Sequence, residues 1–317
     1  MNYSDKIFMV TGGAGFVGSH IVDQLVERNS KKIIIIDDFS RGSLKNLEWA
    51  SKNGDLEIIN DSILNYNLLC DKMIGVDTVF HQAAIRITQC AEDPKLAHEV
   101  MSSGTFNVAK AAVDSKVRKI IAASSASIYG QADIFPTSEI HPPYNNDTIY
   151  GATKVYLEGI MKSFKAMYDL DYVALRYFNI YGTRMDTYGK YTEVIIRWLN
   201  CVKEHKSPII FGDGNTSMDL INVRDIAHSN ILAMESNITD DVFNIGSQTE
   251  TSLKELLETI LQVNKSSLKP IFKDERSVNA VSRRFADISR ASSCLNFSPQ
   301  ISLNEGILEL SDWYFNL

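Results

Sequence analysis

Apolar positions in the first half of the chain follow two alternating rhythms. Short β-branched runs stand at Lys6–Thr11, Lys32–Asp37, Leu56–Asn60, Thr78–Gln82, Lys119–Ala123 and Tyr172–Phe178. Runs that are apolar on both faces suit strands buried in a parallel sheet. Between them the spacing changes to a helical repeat. In Phe16–Glu27 it places Val17, Ile21, Val22, Leu25 and Val26 on one side. Longer helical patterns cover Pro94–Ser115 and Thr148–Met167. Repeated alternation of strand and helix predicts right-handed βαβ units, hence an α/β architecture with a doubly wound parallel sheet.

The rhythm changes after Phe178. A Gly- and Tyr-rich loop at Tyr181–Tyr191 leads into a helical pattern at Val194–Val202. The turn Gly212-Asp213-Gly214-Asn215 follows, and helical patterns at Leu253–Val263 and Leu303–Trp313 close the chain. This predicts a first domain of residues 1–178, to which 219–245 return, and a smaller mixed α/β lobe of 179–218 and 246–317. No low-complexity linker separates them, so one shared interface is expected.

Composition narrows the class of function. The chain has 317 residues, of which 44% are hydrophobic and 22% charged, enough for a sizeable core and too apolar for wholesale disorder. A net charge of −7 argues against nucleic acid or an anionic membrane surface as partner. Cys70, Cys90, Cys201 and Cys294 are scattered without a CxxC spacing. That predicts no disulfide framework, no structural metal and a reducing compartment. No apolar run is long enough to span a bilayer, and the N-terminus reads directly into a strand with no secretory leader. The expectation is a cytoplasmic protein.

The strongest local signal is Thr11-Gly12-Gly13-Ala14-Gly15-Phe16-Val17-Gly18, at the junction of the first strand and first helix. Gly12 permits the tight turn, Gly15 lets backbone N–H groups approach a pyrophosphate, and Gly18 lets helix and strand pack closely. The helix N-terminus adds partial positive charge. This is the dinucleotide cradle of a Rossmann sheet. The second strand ends in Asp37-Asp38, where a carboxylate accepts hydrogen bonds from an adenosine ribose diol and repels a 2′-phosphate, so NAD is favoured over NADP. Arg41 follows closely and weakens that discrimination. Phe16, Val17, Ser40, Asp61 and Ser62, at the helix start and in the loops after the second and third strands, complete the expected contacts.

Tyr150-Gly151-Ala152-Thr153-Lys154 opens a predicted helix, and positions i and i+4 share a helix face. An ammonium one turn from a phenol favours the phenolate. Moving a phenol from about 10 to neutrality takes roughly 3 units, on the order of 4 kcal/mol. The ammonium and an oxidised nicotinamide can supply this together in a dry site. Such a tyrosine can remove a hydroxyl proton while hydride leaves the same carbon. Taken alone the spacing is common on amphipathic helices. It gains weight from Ser124-Ser125-Ala126-Ser127 at the end of the fifth strand, facing the crevice where such sheets bind ligands. Ser125 is the expected partner of the reacting hydroxyl. His81 and His20 read as packed side chains.

With these residues in place the chain resembles the extended short-chain dehydrogenase/reductase family, in its nucleotide-sugar epimerase/dehydratase branch, and within it the UDP-glucose 4-epimerases. The resemblance spans almost the whole chain: the glycine turn, Asp37, His81-Gln82-Ala83-Ala84, Ser125 to Gly130, Tyr150/Lys154, Arg176 to Gly182, and Arg283-Arg284-Phe285-Ala286-Asp287 occur in the family order. It implies bound NAD, with Gln82, Ala83, Ala84 and Arg86 beside the cofactor and Phe178 lining the nicotinamide. It further implies Tyr150 as base at the sugar 4-hydroxyl, Ser125 assisting, Lys154 on the nicotinamide ribose, and Asn179 on the sugar nucleotide. A homodimer through Pro94–Ser115 and Thr148–Met167 is also implied. The 4,6-dehydratases carry an Asp-Glu pair at the positions of Ala126 and Ser127, and the uronate decarboxylases a glutamate at Ser127. Neither is present, which leaves epimerisation.

The chain departs from the family at three places. Met218 stands where relatives carry an arginine for the diphosphate, and Arg276 is the candidate replacement. Met101 stands where asparagine is usual. Arg284 falls where the family sets the width of the sugar pocket, and a cation there suits an acidic sugar such as a uronate. A net nucleotide-sugar oxidoreductase and a non-catalytic dinucleotide-sensing scaffold are the alternatives. Retention of Tyr150, Lys154 and Ser125 together argues against the scaffold.

Overall fold

The computed structural model describes residues 2–187, 193–274 and 283–317. Strands β1 (Ile7–Thr11), β2 (Lys32–Asp37), β3 (Leu56–Asn60), β4 (Thr78–His81), β5 (Lys119–Ser125) and β6 (Asp171–Tyr177) fall where the apolar runs predict them. After β7 (Asn179–Tyr181), β8 (Ile209–Phe211) and β9 (Ser217–Asn222), the chain returns with β10 (Asp241–Ile245) as a seventh strand of the same sheet. The order is β10-β6-β5-β4-β1-β2-β3, parallel throughout. Order reverses between β1 and β4, and in such sheets ligands bind at that switch point, beyond the carboxyl ends of the strands.

Two apolar layers sandwich the sheet. One includes Val10, Ile33, Ile35, Phe80, Ile121, Val173 and Leu175, packed with helix α1 (Phe16–Glu27). The other includes Met9, Ile34, Ile36, Val79, Ile120 and Ala174, packed with helix α2 (Ile149–Tyr168). Alternate residues of each strand thus serve opposite layers, and continuous β-branched runs are the result. β10 is less visible in sequence because Asn244 interrupts it. That side chain is fully buried, donating to the carbonyls of Thr137 (2.9 Å) and Asp287 (3.1 Å) and accepting from the Tyr129 hydroxyl (2.7 Å).

A smaller sheet is built around β9, which pairs with β7, with β11 (Glu250–Ser252) and with β13 (Arg283–Arg284), while β12 (Ile271–Lys273) pairs with β8. Helix α3 (Val223–Glu235) and β10 join the large sheet, whereas Ser217–Asn222 stays in the small one. The return of the chain to the large sheet therefore begins at Val223, later than expected. The predicted Pro94–Ser115 helix runs Pro94–Asp114, but its middle, His98–Ser103, is π-helical. There Met101 is buried against Cys90 Sγ and Thr153 Oγ1, both at 3.6 Å, in a cluster with Ile85 and Tyr150. An apolar thioether suits that packing, which accounts for the absence of asparagine.

Candidate active site

A cleft of about 1280 Å³ opens along the carboxyl ends of the strands and is floored on its far side by the small sheet. Gly12 takes φ +69°, and a Cβ there would lie 2.8 Å from the Ala83 nitrogen. A Cβ on Gly18 would lie 2.2 Å from the Gly12 carbonyl, so only glycine lets α1 approach the turn. At Gly15 a Cβ would meet only the Gly12 carbonyl, at 3.1 Å, and otherwise point into open space. The turn therefore keeps a face clear for a phosphate at the start of α1, as a dinucleotide requires.

Asp37 lies below this turn. One carboxylate oxygen accepts from the Ala14 N–H and the other from the Phe39 N–H, both at 2.9 Å. Burial raises its pKa against those bonds. Asp38 accepts from the Ser40 N–H (2.9 Å) and hydroxyl (2.6 Å), and Asp61 from the Ser62 N–H (2.7 Å). Arg41 and Arg86 converge on Asp186 at 3.4 and 3.1 Å, tying the loop after β2 to the loop after β7. Gly12, Gly15, Phe16, Val17, Asp37, Asp38, Ser40, Arg41, Asp61, Ser62, Gln82, Ala83, Ala84 and Arg86 all line the cleft. These residues fit NAD: a clear turn at a helix N-terminus, with a carboxylate at the neighbouring strand end.

Thr148 caps α2 by accepting from the Gly151 N–H (3.1 Å), and this sets Tyr150 and Lys154 on the face turned to β5. The Lys154 ammonium donates to the Ala123 carbonyl (2.6 Å) and lies 5.6 Å from the centroid of the Tyr150 ring. Burial lowers its pKa to about 8, opposed in part by Cys90 and Glu158. Tyr150 is shifted the other way. Burial pushes its phenol up, against a hydrogen bond with Ser125 and the charges of Arg284 and Arg41. The expected drop of the Tyr150 pKa is therefore not reached by the chain's own groups. Desolvation outweighs them, and further positive charge is needed.

Ser125, Tyr150, Lys154, Asn179 and Arg284 come together on one stretch of the cleft wall, whereas Arg276 lies outside the described residues. One expected contact is corrected. Phe178 is buried in the core, 6.4 Å from Tyr129 ring to ring, and does not line the cleft. Its neighbour Tyr177 does, with its hydroxyl bonded to Asn230 (3.0 Å) and Gln82 (3.3 Å). The resemblance fixed the segment but not which side chain turns inward at the strand end. His81 is buried between Thr11 (2.9 Å) and Thr105 (3.0 Å), and burial lowers its pKa to about 3, so it is a neutral packed histidine.

Two supports gave no sequence signal. Glu158, one turn beyond Lys154, forms a bidentate pair with Arg176 (2.6 and 2.9 Å) and accepts from the Ser124 hydroxyl. Arg176 also donates to Tyr129 (2.8 Å) and to the Glu139 carbonyl (2.9 Å). Asp219, fully buried, accepts from the Ser247 and Ala286 N–H groups at 2.6 and 3.2 Å and so holds together the loops of the small lobe. Each joins residues remote in sequence.

The family model described as the NAD dependent epimerase/dehydratase family matches residues 8–246. A UDP-glucose 4-epimerase of Mycolicibacterium smegmatis is 32% identical over 313 residues, covering 97% of this chain and 98% of that protein. A UDP-N-acetyl-alpha-D-glucosaminuronate decarboxylase of Bacillus cytotoxicus is 30% identical over 326 residues, 98% of each. Among solved structures, the UDP-N-acetylglucosamine 4-epimerase of Methanobrevibacter ruminantium M1, in complex with UDP-N-acetylmuramic acid, superposes with a TM-score of 0.93 at 33% identity. It covers 98% of this chain and 99% of that one.

Proposed function

Because the chain belongs to the NAD dependent epimerase/dehydratase family, we propose that it inverts C4 of a nucleotide sugar, with NAD as a recycled cofactor. The observation that carries this reading is the convergence of Ser125, Tyr150 and Lys154 on one wall of the cleft that the glycine turn also lines. NAD, which the glycine turn and Asp37 would hold, would supply the acceptor of the C4 hydride from one face of the sugar and its donor to the other, and its oxidised ring would add the positive charge that Tyr150 lacks. The Tyr150 phenol oxygen accepts the proton of the sugar 4-hydroxyl and later gives it back. Ser125, on the same cleft wall as Tyr150 and lowering its pKa, holds the reacting oxygen. Lys154 keeps a cation at the end of β5. No net oxidation follows, because the proton and the hydride both return.

Ala126 and Ser127 supply neither the acid nor the base that elimination of water requires, and Ser127 offers no carboxylate where decarboxylases use one. In this reading the glycine turn and Asp37 hold the pyrophosphate and adenosine ribose, residues 1–178 bind the cofactor, and Asn179 and Arg284 in the small lobe meet the sugar nucleotide. Ile149, Tyr156 and Phe106 remain exposed on the outer face of α2 and its neighbouring helix, which supports a homodimer through those helices. The four cysteines are unpaired, which supports a reducing, cytoplasmic setting.

The test is incubation of the NAD-loaded protein with a panel of UDP-, GDP-, CDP- and dTDP-sugars deuterated at C4. Epimer with the label retained and no net NADH is expected by NMR, with turnover falling at least about 100-fold in Tyr150→Phe. Stoichiometric NADH release, or no epimer from any sugar, overturns the reading.

A further inference from the structure

Arg284 lines the same cleft as Tyr150 and has no hydrogen-bond or ion-pair partner among the described residues. Other cations lining the cleft have an ion pair or hydrogen bond among the described residues: Arg41 and Arg86 with Asp186, Arg184 with Asp23 (2.7 Å, one of its terminal nitrogens staying without a partner there), and Lys154 with the Ala123 carbonyl. Its neighbour Arg283 shows the contrast. Arg283 points to the other side of β13, forms a bidentate pair with Glu250 (both 2.7 Å) and lies 4.6 Å over the Phe135 ring. The backbone here is fixed by that pair and by the Ala286 N–H on Asp219. The Arg284 side chain is part-exposed to the cleft, and its guanidinium keeps its charge there, open to an anionic ligand.

The small sheet brings a second polar group to the same cleft. Arg284 is in register with Met218 and Asn179 with Leu220, on two of the strands that pair with β9. Asn179 Oδ1 is buried without a hydrogen-bond partner. A five-donor fork beside an amide acceptor matches an anion flanked by hydroxyls. Arg284, Asn179 and Tyr150 line one cleft, and the Arg284 charge acts on the Tyr150 phenol. The exocyclic carbon on C5 is next to C4, so a carboxylate there falls in that neighbourhood.

Resting on the 4-epimerase reading, we propose that Arg284 binds a carboxylate on the sugar, so that this site prefers nucleotide hexuronates to neutral nucleotide hexoses. Equilibrium binding separates this from the reading beneath it, because binding needs no turnover. UDP-glucuronate, UDP-glucose and UDP are titrated calorimetrically into the NAD-loaded wild type, Arg284→Met and Arg284→Lys. We expect the wild type to bind the uronate at least about 10-fold more tightly than the hexose, within the range of a charge-assisted bond. Arg284→Met brings that ratio near one, Arg284→Lys keeps part of it, and UDP affinity moves less than about threefold. No preference in the wild type, or equal weakening of UDP and UDP-glucuronate by Arg284→Met, overturns the proposal. The second result would assign Arg284 to the diphosphate. Epimerisation of UDP-glucose without any uronate preference leaves the 4-epimerase reading standing while this inference falls.

Discussion

Lys154 is placed over the flank of the Tyr150 ring, 5.6 Å from its centroid, with its ammonium donated to the Ala123 carbonyl at 2.6 Å. The charge is thus held at the end of β5, available to a ligand, and the phenol oxygen is left to Ser125. Burial holds Tyr150 above its ordinary pKa, against Ser125, and lowers Lys154 to about 8.

A pH profile follows. In the NAD-loaded protein, turnover falls as the Lys154 ammonium deprotonates around 8. Lys154→Met lacks the titrating amine. We expect its rate to drop at least about 100-fold and its alkaline limb to vanish. Steady-state epimerisation from pH 6 to 10 checks both, and an unchanged alkaline limb in Lys154→Met refutes the assignment.

The glycine turn separates folding from binding. A Cβ at Gly18 collides with the Gly12 carbonyl at 2.2 Å, so Gly18→Ala should lower stability by about 2 kcal/mol or more, as overpacking does. A Cβ at Gly15 faces open cleft, and φ −78° suits alanine, so Gly15→Ala should change stability by less than about 1 kcal/mol. It should nonetheless weaken NAD binding at least about tenfold, because the methyl occupies the face kept clear for phosphate. Urea unfolding and fluorescence titration with NAD measure the two effects.

Local features of this site were legible in sequence and long-range ones were not. The glycine turn, Asp37 and the Tyr150/Lys154 pair are each set by spacing within one turn or one βα unit, and the fold carries such spacing directly into geometry. Phe178 was assigned by resemblance alone, and a resemblance identifies the segment between β6 and β7 without saying which of its side chains enters the core. Asp219 and Glu158 were silent, and Arg176 showed only as a landmark of the resemblance, because their partners lie on other elements. The resemblance placed Arg284 at the sugar pocket and linked its charge to an acidic sugar. That it has no partner among the described residues is visible only in the packed sheet.

The Glu158–Arg176 pair is buried, at 13% and 9% side-chain exposure, so Coulomb attraction acts with little screening. Glu158→Gln leaves the Arg176 charge uncompensated and should cost about 3 kcal/mol. Replacing both partners, as Glu158→Leu with Arg176→Met, should recover most of that loss, since no charge remains buried. Glu158 also helps hold the Lys154 ammonium, so the alkaline limb of turnover should move to lower pH in Glu158→Gln. Denaturation of the single and double variants decides the energetics. Equal losses in both would show that the pair's packing matters more than its charge.

Two histidines make the fold sensitive to mild acid. Burial lowers His81 and His20 to about 3, below the ordinary value near 6.5. The unfolded chain therefore binds protons that the folded chain refuses, and stability is complete above about pH 6.5 and declines as pH falls toward 3. Between pH 7.5 and 5.5 each histidine should remove about 1.4 kcal/mol. His81→Gln retains groups able to bond Thr11 and Thr105 but does not titrate. Whatever its baseline stability, its loss over that pH interval should be smaller than the wild type's by about 1.4 kcal/mol, and the same holds for His20→Gln. Urea unfolding at the two pH values measures the difference, and parallel losses in wild type and His81→Gln would mean that His81 is protonated in the native state, contrary to its place between two threonine hydroxyls.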